Sequence, residues 1–375
     1  MNYEIIQRWP AGDTAVTCVG DDKRVNPRPI SHYARLVRST LPAHAFDPVP
    51  SRLAWLALHL ALIVVGTLAV VHRIGGPWAL PLWSLLIGHS FAGCAFVGHE
   101  TLHGAVVRNR TVRQAIGWLC FSPFTLSPTL WNAWHNKVHH GHTGLDGTDP
   151  DAFPTRAQYE QSRTTRVADY FAVGVNRWFG FLTLLLGFTG QSTQMLLVWT
   201  RHGGALDAAD RRRVYLETAA SWAMWTAVLL AVGPLAFVFV FLLPLVVGNV
   251  IVISYILTNH SLNPLTDVND PLLNSLSVEV PRVVDLLHLN FGMHVEHHLF
   301  PSMSSAYAPH VRDALRAQFP DRYQSLPILT ALRRLFRTPR VYATPTLLVD
   351  PLSGATAETL APRLLPEREL TASAA

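Results

Sequence analysis

Three short segments group histidines at spacings that can do metal chemistry: His99-Glu-Thr-Leu-His103, His135-Asn-Lys-Val-His139-His140 and His294-Val-Glu-His297-His298. In each, two imidazoles stand three or four residues apart. On a helix they project from one face with Cβ atoms about 5–6 Å apart, a separation from which two ring nitrogens can converge on one ion. His260, in Thr258-Asn259-His260-Ser261, is a ninth candidate. Nine imidazoles exceed what one ion takes, since a catalytic zinc uses three protein ligands and an open position. Two ions of four or five nitrogens each would account for the whole set. Zinc is redox-silent, whereas imidazole-rich sites with open positions also suit iron and copper. The set therefore points to oxygen chemistry at two redox metals.

The elements that position these residues are apolar. Residues 53–71 read LAWLALHLALIVVGTLAVV, roughly 28 Å of helix at 1.5 Å per residue, against a hydrocarbon core of about 30 Å. The turn His72-Arg-Ile-Gly-Gly-Pro77 leads to a second apolar stretch, Trp78 to Val97. A second hairpin runs from Ala219 to Val232, breaks at Gly233-Pro234 and returns from Leu235 to Leu257. The spacing predicts an all-α, multi-pass membrane protein with two transmembrane hairpins, about 53–97 and 219–257, and a helical cap that carries the histidine groups. Residues 115–134, interrupted by Pro123 and Pro128, read as re-entrant or interfacial. Residues 180–200 are long enough to cross but carry Gln191-Ser-Thr-Gln194 in their middle. One crossing there would put the histidine groups in opposite compartments, so this segment is expected to lie flat in the interface or to cross twice. Residues 306–319 and 328–336 read as amphipathic cap helices. Residues 1–52 form a polar N-terminal arm, 53–345 the membrane domain, and 346–375 a flexible tail.

Composition supports this reading. Of 375 residues, 49% are hydrophobic and only 15% are charged, while 18 are histidine. Soluble domains carry about 25% charged residues. The net charge of +5 comes mainly from arginine. Arg24, Arg28, Arg35, Arg38 and Arg52, together with the basic stretch 201–213, mark the cytoplasmic side and with it the side of the histidine groups. No Lys/Arg run interleaved with aromatics lies outside the apolar segments, so nucleic acid is not a partner. Cys18, Cys94 and Cys120 are isolated, which excludes a disulfide framework and a thiolate zinc site. No cleaved signal peptide is expected.

In this order and spacing around two apolar hairpins, the three histidine groups resemble those of the membrane fatty acid desaturases and related hydroxylases, over about residues 53–308. The resemblance implies a non-haem di-iron centre held by His99, His103, His135, His139, His140, His294, His297 and His298, with His260 matching a further ligand found in many members. It implies dioxygen as co-substrate and removal of two hydrogens from an acyl chain carried on coenzyme A, carrier protein or phospholipid. The second group departs from the family's pattern, with three residues between its first two histidines where two are more usual. No Gly-rich dinucleotide fingerprint and no haem-binding segment is present, so electrons are expected from a separate ferredoxin or cytochrome b5-type donor, drawn to an Arg-rich face.

Two other classes compete, besides a hydroxylase acting on an acyl, sterol or carotenoid substrate. His99-Glu100-x-x-His103 with Leu145-Asp146-Gly147 suggests an intramembrane zinc protease, which leaves the other groups unused. A metal transporter would need ionisable residues inside the membrane helices, where 53–71 has only His59 and 235–257 has none. Glu100 and Glu296 are candidates to orient imidazole N–H groups from the second shell. Asp146, Asp149 and Asp151 could do the same, although their stretch reads first as a solvated loop; His89 reads as a packing histidine, and His142, His288 and His310 as ligands only in place of a group histidine. Phe121, Phe124, Trp131, Trp134 and Phe291 are candidate walls of a substrate tunnel. Reporter fusions in the loops beside His140 and His298 should place both on one face of the membrane. Opposite faces would contradict this topology.

Overall fold

The computed structural model describes residues 26–174, 178–200 and 206–360. The chain is mostly helical, in the order α1 (Ile30–Arg38), α2 (Leu53–Val71), α3 (Leu80–Leu102), α4 (Arg110–Phe121), α5 (Phe181–Gln194), α6 (Ala208–Val232), α7 (Leu243–His260), α8 (His294–Leu299), α9 (Ala308–Gln318) and α10 (Ile328–Leu335). Between α4 and α5 a wide-turn π-helical stretch covers Asn132–His139.

Among the described residues, five stretches are long and apolar enough to cross a membrane: Pro50–Val71, Pro77–Leu102, Phe181–Val198, Ala208–Val232 and Pro234–His260. The two expected hairpins are among them. Their outer faces present large apolar side chains to the surroundings, with Trp78 91% and Leu230 80% exposed, as lipid-facing surface requires. The first hairpin turns through Gly75 (φ 82°) and Gly76 (φ 74°), a backbone that L side chains resist. In lipid, burial of apolar surface cannot drive helices together, and close van der Waals contact has to. Small residues allow it here: a Cβ on Gly66 would lie 2.7 Å from Ile87, and one on Gly88 2.6 Å from the Pro244 carbonyl. The core then fills with Phe91, Phe96, Phe121, Phe124 and Trp134, all fully buried.

Several boundaries differ from those expected. α3 runs on to Leu102, and α6 begins at Ala208, capped by the Asp207 carboxylate on the Asp210 amide (2.7 Å). The charged first turns of α6 hid its start from a hydropathy pattern. Residues 115–134 hold no candidate span, in keeping with the re-entrant or interfacial reading: α4 ends at Phe121, and the chain reverses through Thr125 (φ 52°). The fold is also not purely helical. Ser277–Glu279 pairs in parallel with Ser325–Pro327, and Val341–Thr344, Leu347–Val349 and Thr356–Glu358 form an antiparallel sheet. The expected tail from residue 346 is thus paired as far as Glu358, because Leu348 is buried against the core. The rest of that tail from 361, the first 25 residues and the basic residues of 201–205 lie outside the described residues.

One ion pair is buried within the cap, and another joins the cap to the membrane helices. Arg322 Nη2 donates to Asp270 Oδ2 at 2.7 Å, and Tyr33 of α1 and the Arg28 amide donate to the same oxygen. Arg52, at the start of α2, donates to Glu100 Oε2 (3.1 Å) and Ser305 Oγ (2.8 Å), joining the foot of α2 to the end of α3 and the 304–305 turn.

Candidate metal centre

The fold brings all nine candidate histidines together. His99 and His103 close the inner end of α3, His260 ends α7, and His294, His297 and His298 occupy the short helix α8. Donor atoms of His99, His103, His135, His140 and His297 lie within 4.8 Å of one another, as do those of His139, His260 and His298. His294 completes the second set, with its Nε2 2.7 Å from that of His260 and 3.1 Å from that of His298. In the first set the Nε2 atoms of His99 and His135, of His135 and His140, and of His140 and His297 are each 3.2 Å apart. Two nitrogens about 2.1 Å from one ion lie about 3.0 Å apart at a right angle and about 3.4 Å apart at a tetrahedral angle. The observed separations fall mostly in this interval.

The second histidine group shows how five imidazoles reach one set and four the other. Between Asn132 and His139 the helix widens, and the His140 amide donates to the His135 carbonyl, five residues back. A π-turn absorbs one extra residue in a helix. It brings His140 Nε2 to His135 Nε2, while His139, stacked on His135, also meets His260 and His298 edge-on. The extra residue noted in the sequence is therefore taken up by the backbone without displacing His135.

The far sides of the rings fix their tautomers. His139 Nδ1 donates to Asp149 Oδ1 at 2.7 Å, with Asp151 Oδ2 at 3.5 Å. Its Nε2 is buried without a hydrogen-bond partner, as a lone pair reserved for a cation would be. Burial alone would lower the basicity of His139, but the Asp149 and Asp151 carboxylates outweigh it and raise the basicity of the ring, which strengthens it as a ligand. Burial likewise opposes ionisation of Asp149, yet His139 holds it below the ordinary carboxylate range. Burial raises Asp151. The Thr143 hydroxyl donates to the His139 carbonyl (2.7 Å) and so accepts from His298 Nδ1 (3.2 Å). That leaves His298 Nε2 free for a cation.

Not every expected partner takes its expected place. Glu100 accepts from Arg52, Ser304 and the Ser305 amide, not from an imidazole. Glu296 accepts from Ser277 and Tyr323, each at 2.6 Å, and the same serine oxygen caps the His294 and Val295 amides. Both glutamates brace the helices that carry histidines instead of orienting rings. The orienting carboxylates are Asp149 and Asp151, with side chains 3% and 5% exposed. They lie in a loop that looked solvated, and only Asp146 there is exposed. Gly144 makes this possible: its φ is +70°, a Cβ on it would strike Asn274 at 2.2 Å, and its amide donates to Asp149 Oδ2. His142 and His310 are exposed, and His89 and His288 pair with each other at 3.2 Å outside the centre. The exposure of Asp146 removes the distal ligand that the protease reading needs.

A cavity of about 40 Å³ adjoins the imidazoles. Phe121, Trp131, Trp134 and Phe291 line it, as anticipated, while Phe124 packs on Phe188 instead. An apolar cavity bordered by converging imidazoles within membrane helices defines an oxidoreductase site for a lipid chain. The chain matches the family model described as fatty acid desaturase over residues 75–328, which include all nine histidines, and it belongs to that family. An sn-1 oleoyl-lipid 12-desaturase of Synechocystis sp. is 24% identical over 282 residues, covering 71% of this chain and 76% of its own length. A chloroplastic omega-6 fatty acid desaturase of Arabidopsis thaliana is 23% identical over 286 residues, 72% of this chain and 60% of its own length. An sn-1 acyl-lipid omega-3 desaturase (ferredoxin) of Synechocystis sp. is 29% identical over 123 residues, covering 32% of this chain and 34% of its own length.

Replacing Asp149 by Asn removes the carboxylate that holds His139. Metal affinity, measured by titration of the purified protein, is expected to fall by about 10- to 100-fold, while His142→Ala leaves it unchanged. Equal affinity in Asp149→Asn and wild type would contradict the assignment.

Proposed function

We propose that the nine histidines ligate two iron ions, five on one and four on the other, and that the enzyme introduces a C=C bond into the acyl chain of a membrane lipid. The single observation that carries the reading is the division of nine imidazoles into two convergent sets beside an apolar cavity. Bound irons would supply the reduction of dioxygen and an oxidant strong enough for unactivated C–H bonds. Overall, one dioxygen, two electrons, two protons and two hydrogens from adjacent methylenes give one alkene and two waters.

The remaining work falls to the protein. Phe121, Trp131, Trp134 and Phe291 keep water from the reacting carbons and hold the chain against the imidazoles. Asp149 keeps a proton on His139 Nδ1 and so leaves Nε2 available. Methylenes are chemically alike, so position along the cavity decides which pair reacts. Relatives named for lipid-linked acyl groups favour a glycerolipid as the carrier. One named for ferredoxin favours a small acidic iron–sulfur donor, for which the exposed Arg35 and Arg38 of α1, or Arg333 and Arg334 of α10, offer basic contacts.

Parity supports a cytoplasmic site. One cluster uses residues on both sides of the three candidate spans between 140 and 294, so an even number of these must cross. Phe181–Val198 is the one to leave out, because Gln191 in its middle bonds Asp151, level with the cluster. Four crossings then return both ends of the chain, and the site, to the basic cytoplasmic side.

Lipids from cells expressing the wild type are expected to contain new unsaturated acyl chains, and those from cells expressing His139→Ala to show none above background. A hydroxylated acyl product would move the enzyme to the related hydroxylases. No new lipid from the wild type would contradict the proposal.

A further inference from the structure

The polar run Gln191-Ser-Thr-Gln194 interrupts an apolar helix and is not accounted for by the metal centre. Ser192 and Thr193 return their hydroxyls to carbonyls of their own helix, at Phe188 and Thr189, a common way to hide such groups. Gln191 instead reaches across to another element. Its Nε2 donates to Asp151 Oδ1 at 2.6 Å, the oxygen that also accepts from Trp134 Nε1 at 3.2 Å. Its Oε1 is buried with no hydrogen-bond partner. A buried amide oxygen left without a partner costs free energy and calls for an explanation.

Two spaces meet at this residue. On one side is the cavity beside the imidazoles, whose volume of about 40 Å³ accommodates about three water-sized groups. It therefore admits only a short stretch of an acyl chain. On the other side is an open cleft of about 980 Å³, with one wall formed by Gly187, Gly190, Gln191 and Gln194. Their spacing of i, i+3, i+4 and i+7 makes one helix face; Gly187 admits the close approach of Ile253, 2.8 Å from where a Cβ would stand, and Gly190 leaves open room. Gln191, Asp151 and Ile256 line both spaces. Asn249 fixes the helix next to this point, exchanging two 2.9 Å hydrogen bonds with Thr189.

We propose that Gln191 is a specificity-determining residue: its amide, pinned on Asp151, forms the sill over which an acyl chain passes from the outer cleft to the imidazoles, and so sets which pair of methylenes stops there. The inference rests on the desaturase reading above and adds to it the residue that measures the chain. Gln191 touches none of the nine histidines but holds Asp151, whose other oxygen lies 3.5 Å from His139 Nδ1 and which groups with His135 and His139, so the metal content of each variant is read beside its isomer ratio. The glycine face beneath it is the path by which the chain arrives.

The test is double-bond position, determined by mass spectrometry of lipids from cells expressing wild type, Gln191→Ala and Gly190→Leu, with the metal content of each purified protein. Gln191→Ala is expected to raise the ratio of minor to major positional isomers by about tenfold, the scale on which one methylene is discriminated in an apolar pocket, with metal content unchanged. A Cβ on Gly190 meets nothing within 4 Å, so Gly190→Leu should fold, keep the wild-type isomer ratio and lower total conversion by about tenfold. An unchanged isomer ratio in Gln191→Ala, the loss of all its product, or full conversion by Gly190→Leu overturns the sill while leaving the desaturase reading standing. A wild type that forms no alkene overturns both.

Discussion

Nine imidazole nitrogens meet in a space from which water is largely excluded, several of them about 3.2 Å apart with Nε2 facing Nε2. Lone pairs brought so close in a dry interior repel unless a proton or a cation lies between them, and a chain of shared protons cannot serve nine rings converging on two points. Two cations can. The elements around the centre are arranged to impose this meeting. The end of α3, the end of α7, the wide-turn segment 132–139 and α8 each deliver two or three rings, or in the case of α7 one. The Arg52–Glu100 pair joins the foot of α2 to the end of α3 and the 304–305 turn, and the buried Arg322–Asp270 pair ties cap segments to one another.

The membrane architecture serves the same constraint. Glycines at helix crossings let α2, α3 and α7 approach closely, so the ends that bear His99, His103 and His260 stand side by side. Behind the rings, Asp149 and Thr143 hold the outward-facing N–H of His139 and His298, which prepares the inward nitrogens before any ion arrives.

Much of this was legible in the sequence because it depends on local periodicity. Hydropathy marked both hairpins, and spacings of three and four residues marked the histidine faces. What escaped depends on contacts between distant residues. The start of α6 is charged and looks like a loop until Asp207 is seen capping it. Asp149 and Asp151 read as solvated because nothing local shows that Tyr342 ties their loop down, with its amide on the Pro154 carbonyl and its hydroxyl on the Asn263 carbonyl. Glu100 and Glu296 lie within the histidine groups, yet helix rotation turns them away from the rings toward Arg52 and Tyr323. The π-turn at 132–139 was present in the sequence as an extra residue, but its effect on which rings share a face follows only from the backbone.

The central claim is that two metals share these nine rings, five and four. Metal analysis of the purified protein together with X-ray absorption at the iron edge tests it directly. The account predicts two irons per chain and a first shell dominated by imidazole nitrogen. One zinc per chain, or a shell containing sulfur, would contradict it.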